Sequence, residues 1–192
     1  MNRNLTRNAF LKMGGMMAVG SAVIPAIFNS CKEAPASDAE VDPEQIIKEL
    51  GLVLPPAPNP AGIFKPVLVS GNLLYVSGQL PVQADGSLII GKVGSDLTLE
   101  EGQMAARQVG LTMISVIKEY FGDLNRIFRL IKTLGMVNCL PDFYAQPAVI
   151  NGFSGLMAEI FGNENGTGVR SAVGMTLPLN VAVEVESIFE LK

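Results

Sequence analysis

Thr98 and Glu101 stand at the spacing of a capping box, and beyond them Ala105, Val109, Met113, Val116, Ile117 and Tyr120 recur at helical intervals as far as Phe121. A helix of about six turns with one apolar stripe is not stable alone and needs an apolar layer to cover it. The flanking segments supply that layer. Val67-Leu68-Val69 and Leu73 to Val76 flank Ser70-Gly71-Asn72 as a hairpin, and Asp85-Gly86 turns the chain before Leu88-Ile89-Ile90. Gly122-Asp123 stops the helix, and Ile127 to Asn138 reads as one long strand. After Pro141-Asp142, a second helix from about Gln146 to Phe161 places Val149, Phe153, Leu156, Met157 and Ile160 on one face. Gly162 to Gly168 is a polar loop; strands follow at Val169 to Met175 and Val181 to Leu191, joined by Leu177-Pro178-Leu179-Asn180. The order β-β, α, β, α, β-β predicts an α+β fold in which two helices cover one face of a β-sheet.

The chain ahead of this pattern reads differently. Residues 1–30 carry Arg3, Arg7 and Lys12 and no acid, and no charge occurs from Met13 to Phe28. A basic start before a short uncharged run is the pattern of an export signal, too short for a membrane helix. Thr6-Arg7-Asn8-Ala9-Phe10-Leu11-Lys12 resembles a twin-arginine export motif with Asn8 in place of the second arginine. Cys31, preceded by Phe28-Asn29-Ser30, resembles the end of a bacterial lipobox, which makes it the expected lipidation site; an ordinary cleaved signal with a stray thiol is the alternative. On the lipobox reading the product is an exported cell-envelope or periplasmic lipoprotein that meets a membrane only through its anchor. Residues 31–42 then form a flexible tether, rich in Ala, Pro, Ser, Asp and Glu between Lys32 and Val41. Asp42-Pro43 offers an N-cap and first-turn proline for a helix to about Leu50, so the folded domain is expected over 43–192. Pro55, Pro56, Pro58 and Pro60 force an extended run before the hairpin.

Composition removes whole classes of chemistry. The chain of 192 residues has no histidine, so no imidazole base, histidine-bound metal or Ser-His-Asp triad can be built. Its two cysteines cannot make a four-ligand zinc site. The formal charge is −4, and loss of residues 1–30 leaves 11 Lys+Arg against 18 Asp+Glu, a net charge of −7. That acidity argues against a nucleic-acid partner. Pattern alone gives the polar residues bland roles. Glu184 and Glu186, two apart on the last strand, fit a solvated sheet face opposite Val183 and Val185. Arg170 fits a surface arginine, Asn151 an ordinary helix residue, and Cys139 a small buried hydrophobe.

Resemblance to a family changes those assignments. Leu74-Tyr75-Val76-Ser77-Gly78-Gln79-Leu80-Pro81, Arg170-Ser171-Ala172-Val173 and Leu177-Pro178 through Val183-Glu184-Val185-Glu186 resemble the hallmark stretches of the RidA/YjgF family, the reactive-intermediate imine deaminases once called endoribonuclease L-PSP. Gly91-Lys92-Val93-Gly94, Glu100-Glu101-Gly102 and Leu134-Gly135-Met136-Val137-Asn138 further resemble a longer subgroup of it. The resemblance runs in order from about Leu54 to Lys192.

It implies a chorismate mutase-like homotrimer with a site in each cleft between subunits, binding a small carboxylate substrate and needing no metal or other cofactor. The family's catalytic arginine falls on Arg170, its water-positioning glutamate on Glu184, its helix asparagine on Asn151 and its Ser-Gly-Gln glycine on Gly78. Two substrate-binding positions differ: the family's N-terminal tyrosine aligns with Phe64, and a cysteine two after the arginine with Ala172. One lost neutral hydrogen bond is worth about 0.5–1.5 kcal/mol, so Phe64 is expected to retune the site rather than abolish it. The implied reaction is hydrolytic deamination of small enamine or imine acids to keto acids and ammonia. A non-catalytic carboxylate-binding module on the same cleft is the alternative, with endoribonuclease a third reading that the acidic charge disfavours.

Overall fold

The computed structural model describes residues 41–192. The expected signal segment 1–30, the expected lipidation site Cys31 and the expected tether as far as residue 40 lie outside the described residues. Asp42 caps helix α1 (Pro43–Glu49), its Oδ1 accepting from the amides of Glu44 and Gln45 at 3.0 and 3.1 Å. Ile47 of α1 is buried against the main core.

Five strands form one mixed sheet. Strands β1 (Val67–Ser70) and β2 (Leu73–Gln79) make the expected hairpin across Gly71-Asn72. Strand β3 (Ile127–Asn138) is the long central strand, β4 (Val169–Met175) an edge, and β5 (Val183–Leu191) lies between β2 and β3. The spatial order is β1-β2-β5-β3-β4, with all neighbours antiparallel except β3 and β4. Parallel neighbours need a long crossover, and helix α3 (Gln146–Phe161) provides it between β3 and β4. The last strand begins at Val183, two residues later than its apolar pattern suggests. Pro178–Asn180 form a tight turn there, with Leu179 and Asn180 both in the left-handed region at φ 54° and 55°.

Helix α2 (Leu99–Tyr120) carries the capping box in full: Thr98 Oγ1 accepts from the Glu101 amide at 3.1 Å, and Glu101 Oε2 accepts from the Thr98 amide at 2.7 Å. Ala105, Val109, Met113, Val116 and Ile117 are buried as their spacing requires, but Tyr120 is 39% exposed because the final turn runs past the edge of the core. Helix α3 buries Val149, Phe153, Leu156, Met157 and Ile160, all five expected positions. Both helices cover one face of the sheet, where Leu74, Val76, Val137, Val183, Val185 and Phe189 point inward. They lie so close to each other that a Cβ on Gly152 would sit 2.0 Å from the Gln103 carbonyl oxygen. No helix among the described residues is long and apolar enough to cross a membrane.

Candidate active site

Two groups of polar side chains stand out, and they occupy opposite faces of the sheet. Arg170 pairs in register with Thr133 of β3, and the Thr133 hydroxyl lies 3.4 Å from that of Ser187 on the helix-covered face. Arg170 therefore turns toward α3. Its Nη1 donates to Asn151 Oδ1 at 2.9 Å and Ser154 Oγ at 3.0 Å, and its Nη2 donates to the Pro147 carbonyl at 3.3 Å. Asn151 and Ser154 are three apart on one helix, so they lie side by side on its surface. Three of the five guanidinium N–H groups are thus taken, leaving the Nε–H and one Nη2–H. Such a pair can grip a carboxylate two-pronged. A cavity of about 350 Å³ opens beside the guanidinium, walled by Leu130, Thr133, Gly166, Thr167 and Gly168. Ala172, two residues on along β4, faces the same side and packs against the core.

The second group gathers at Gly78. Strand β2 shifts register between Val76 and Gln79, and the displaced Gly78 leaves room for the Glu184 side chain. A Cβ on residue 78 would stand 2.1 Å from Glu184 Oε1, so no residue but glycine leaves that carboxylate where it is. Glu184 is half-buried and accepts no hydrogen bond among the described residues. Desolvation, reinforced by the nearby charge of Glu186, raises its pKa above the ordinary carboxylate value. Gly78 and Phe64 line a shared cavity of about 450 Å³, and Phe64 is 51% exposed.

Within one chain the two groups do not meet. Glu184 pairs with Met136 and Met136 with Val173, so Arg170 is two strands away and three residues along. Strand geometry puts the two Cα atoms roughly 14 Å apart. Val183 and Val185 point to the helices, so Glu184 and Glu186 point to the bare face. The same face shows exposed Leu68, Tyr75, Val173 and Met175.

The family model described as "YjgF/chorismate mutase-like, putative endoribonuclease" matches residues 44–191. The chain belongs to this YjgF/chorismate mutase-like family. Similar proteins include Protein TCP17 of Trypanosoma cruzi, 42% identical over 146 residues covering 76% of this chain and 91% of that one. The crystal structure of Atu1372 from Agrobacterium tumefaciens, a protein of unknown function, is 42% identical with a TM-score of 0.70, covering 79% of this chain and 94% of that one. A "putative endoribonuclease" from Shewanella oneidensis is 33% identical with a TM-score of 0.74, covering 78% and 99%. Membership in the YjgF family brings a RidA-like or endoribonuclease L-PSP-type function at the family level.

The six site positions expected from sequence thus divide into Arg170, Asn151 and Ala172 on one side and Gly78, Glu184 and Phe64 on the other. Sequence reasoning overlooked Ser154 and the Pro147 carbonyl as partners of Arg170. The three-residue step from Asn151 to Ser154 could have exposed the first; a backbone carbonyl has no sequence signal. Strand alternation assigns Glu186 only to a solvated face, whereas in the fold its charge adds to the desolvation that raises the Glu184 pKa.

Proposed function

We propose that this YjgF-family protein is a hydrolytic deaminase of small 2-imino and enamine acids, working at sites assembled between subunits of a homotrimer. The observation that carries the reading is the Arg170 guanidinium, braced by three acceptors on α3 with two N–H groups left over. The bare sheet face, with its exposed Tyr75, Val173 and Met175, supports burial against neighbouring copies. Such packing brings Arg170 of one subunit to Glu184 of the next.

The chemistry follows from the groups. Arg170 takes the substrate carboxylate, with charged hydrogen bonds worth about 1.5–3 kcal/mol each. The protonated imine carbon is already electrophilic. Glu184, as a carboxylate, orients a water and accepts its proton while the water oxygen bonds to that carbon, giving a carbinolamine. Its raised pKa lets it then return the proton to the amino nitrogen. The C–N bond breaks, ammonia leaves with the bonding pair, and the hydroxyl proton is released as the carbonyl of the keto acid forms. Water is the sole co-reactant.

Ammonia release from an imino acid generated by an amino acid oxidase is the direct test. Arg170→Ala loses two charged hydrogen bonds and is expected to lower kcat/KM at least about 100-fold. Equal rates for variant and wild type would sink the assignment. Carboxylate binding that depends on Arg170, in a protein inactive on several imines, would identify a binding module instead.

A further inference from the structure

The 450 Å³ cavity beside Gly78 has a character of its own. Pro56, Pro58 and Pro60 from the extended run form one wall, and Phe64, Leu88 and Leu179 complete it; none of the residues lining the cavity is charged. Its volume is in the range of small-molecule pockets, about 300–1,000 Å³, and far more than a methyl group needs. No cation in it could take a carboxylate. Leu179 is the unusual member: a bulky residue held in the left-handed region at φ 54°, ψ 15°, and 70% exposed at the cavity rim. Such conformations are unfavourable for a branched side chain and persist only where the surroundings impose them. The next residue, Asn180, is anchored on both sides of the turn, its Oδ1 accepting from Asn138 Nδ2 at 2.9 Å and its carbonyl from the Gly91 amide at 2.8 Å.

We infer that this cavity receives the side chain of the substrate, that the preferred substrates are imino acids with large branched or aromatic side chains, and that Leu179 is a specificity-determining residue. The inference rests on the deaminase reading for the reaction, but the cavity's selectivity can be measured without turnover. On the deaminase reading the substrate has two ends: with its carboxylate on Arg170 of one subunit and its reacting carbon near Glu184 of the next, the apolar end is left for the cavity that Gly78, in contact with Glu184, lines. A strained, exposed leucine at the rim contributes apolar surface where an unstrained turn residue would contribute none.

The experiment compares imino acids generated in situ from leucine, phenylalanine and alanine, on wild type, Leu179→Ala and Leu179→Gly, and in parallel measures binding of 4-methyl-2-oxopentanoate and pyruvate by calorimetry. Wild type is expected to prefer the leucine-derived over the alanine-derived substrate by about 10- to 100-fold in kcat/KM. Leu179→Ala should reduce that ratio about 5- to 10-fold, mainly through KM. Leu179→Gly, which also relieves the backbone strain, should reduce the ratio equally while raising the melting temperature. Equal handling of large and small substrates, or a ratio untouched by both variants, overturns the inference. If no imine is hydrolysed, the deaminase reading fails and the keto acids decide: at least about tenfold tighter binding of 4-methyl-2-oxopentanoate supports the apolar pocket, and equal affinities refute it.

Discussion

Glu184 holds its proton more tightly in the folded protein than in the unfolded chain, because its half-buried carboxyl is desolvated and faces the charge of Glu186. A carboxyl whose pKa is raised on folding opposes folding once it ionises. Its relative contribution is therefore intact below the ordinary value of 4.5 and is lost as the pH climbs through the raised one. Glu184→Gln cannot ionise and escapes the loss. Melting curves between about pH 4 and pH 8 should show its advantage over wild type absent at the acid end and growing with pH to a plateau. A pH-independent difference would remove the electrostatic account. In the catalytic reading, the acid limb of kcat/KM lies above 4.5 and moves down in Glu186→Gln, but not all the way, since desolvation is the larger cause. Family resemblance singled out Glu184, Arg170 and Asn151 as candidates, while strand alternation gave only the sheet face on which Glu184 stands. Their environments were not legible. Whether a strand carboxylate is solvated depends on a bulge at Gly78 in another strand, and no local pattern announces that.

Helices α2 and α3 show how far amphipathic spacing reaches. Their extents and buried stripes could be read from the sequence because burial of one face repeats every three to four residues. Tyr120 broke the pattern, since periodicity does not say where the sheet beneath a helix ends. Nor does it say how closely two helices approach, and the glycines of α3 carry that information. Gly152→Ala would drive a methyl into the Gln103 carbonyl, forcing the helices apart and breaking the Gln103 Nε2 bond to the Ala148 carbonyl, now 2.9 Å. The expected loss is about 3 kcal/mol, the upper end for an overpacked core. Gly155, on the same helix, has nothing within 4 Å of a new Cβ. Gly155→Ala should instead stabilise by about 0.5–1 kcal/mol through helix propensity and a less flexible unfolded chain. Urea denaturation of both variants checks the pair, and similar changes in midpoint would mean that the close approach is not what Gly152 provides.

For the whole molecule, the decisive feature is that the Arg170 and Glu184 groups lie on opposite faces of one sheet. The order of strands and the resulting placement could not be taken from the sequence pattern, which gives faces within a strand but not which strands become neighbours. A site that needs both groups must draw them from two subunits, and a ring of identical subunits repeats the same contact at every interface. This makes complementation the sharpest test. Arg170→Ala and Glu184→Gln should each be inactive as pure proteins. If the proposed ring is right, the two variants unfolded together in equal amounts and refolded give mixed rings, in which a cleft regains both groups when its arginine comes from the Glu184→Gln subunit and its glutamate from the Arg170→Ala subunit. Random assortment predicts about a quarter of wild-type activity per cleft. A site built within one subunit would recover nothing, because no subunit in the mixture carries both residues. Ammonia release from the refolded mixture, with each variant refolded alone as control, therefore separates the two architectures without knowledge of the natural substrate.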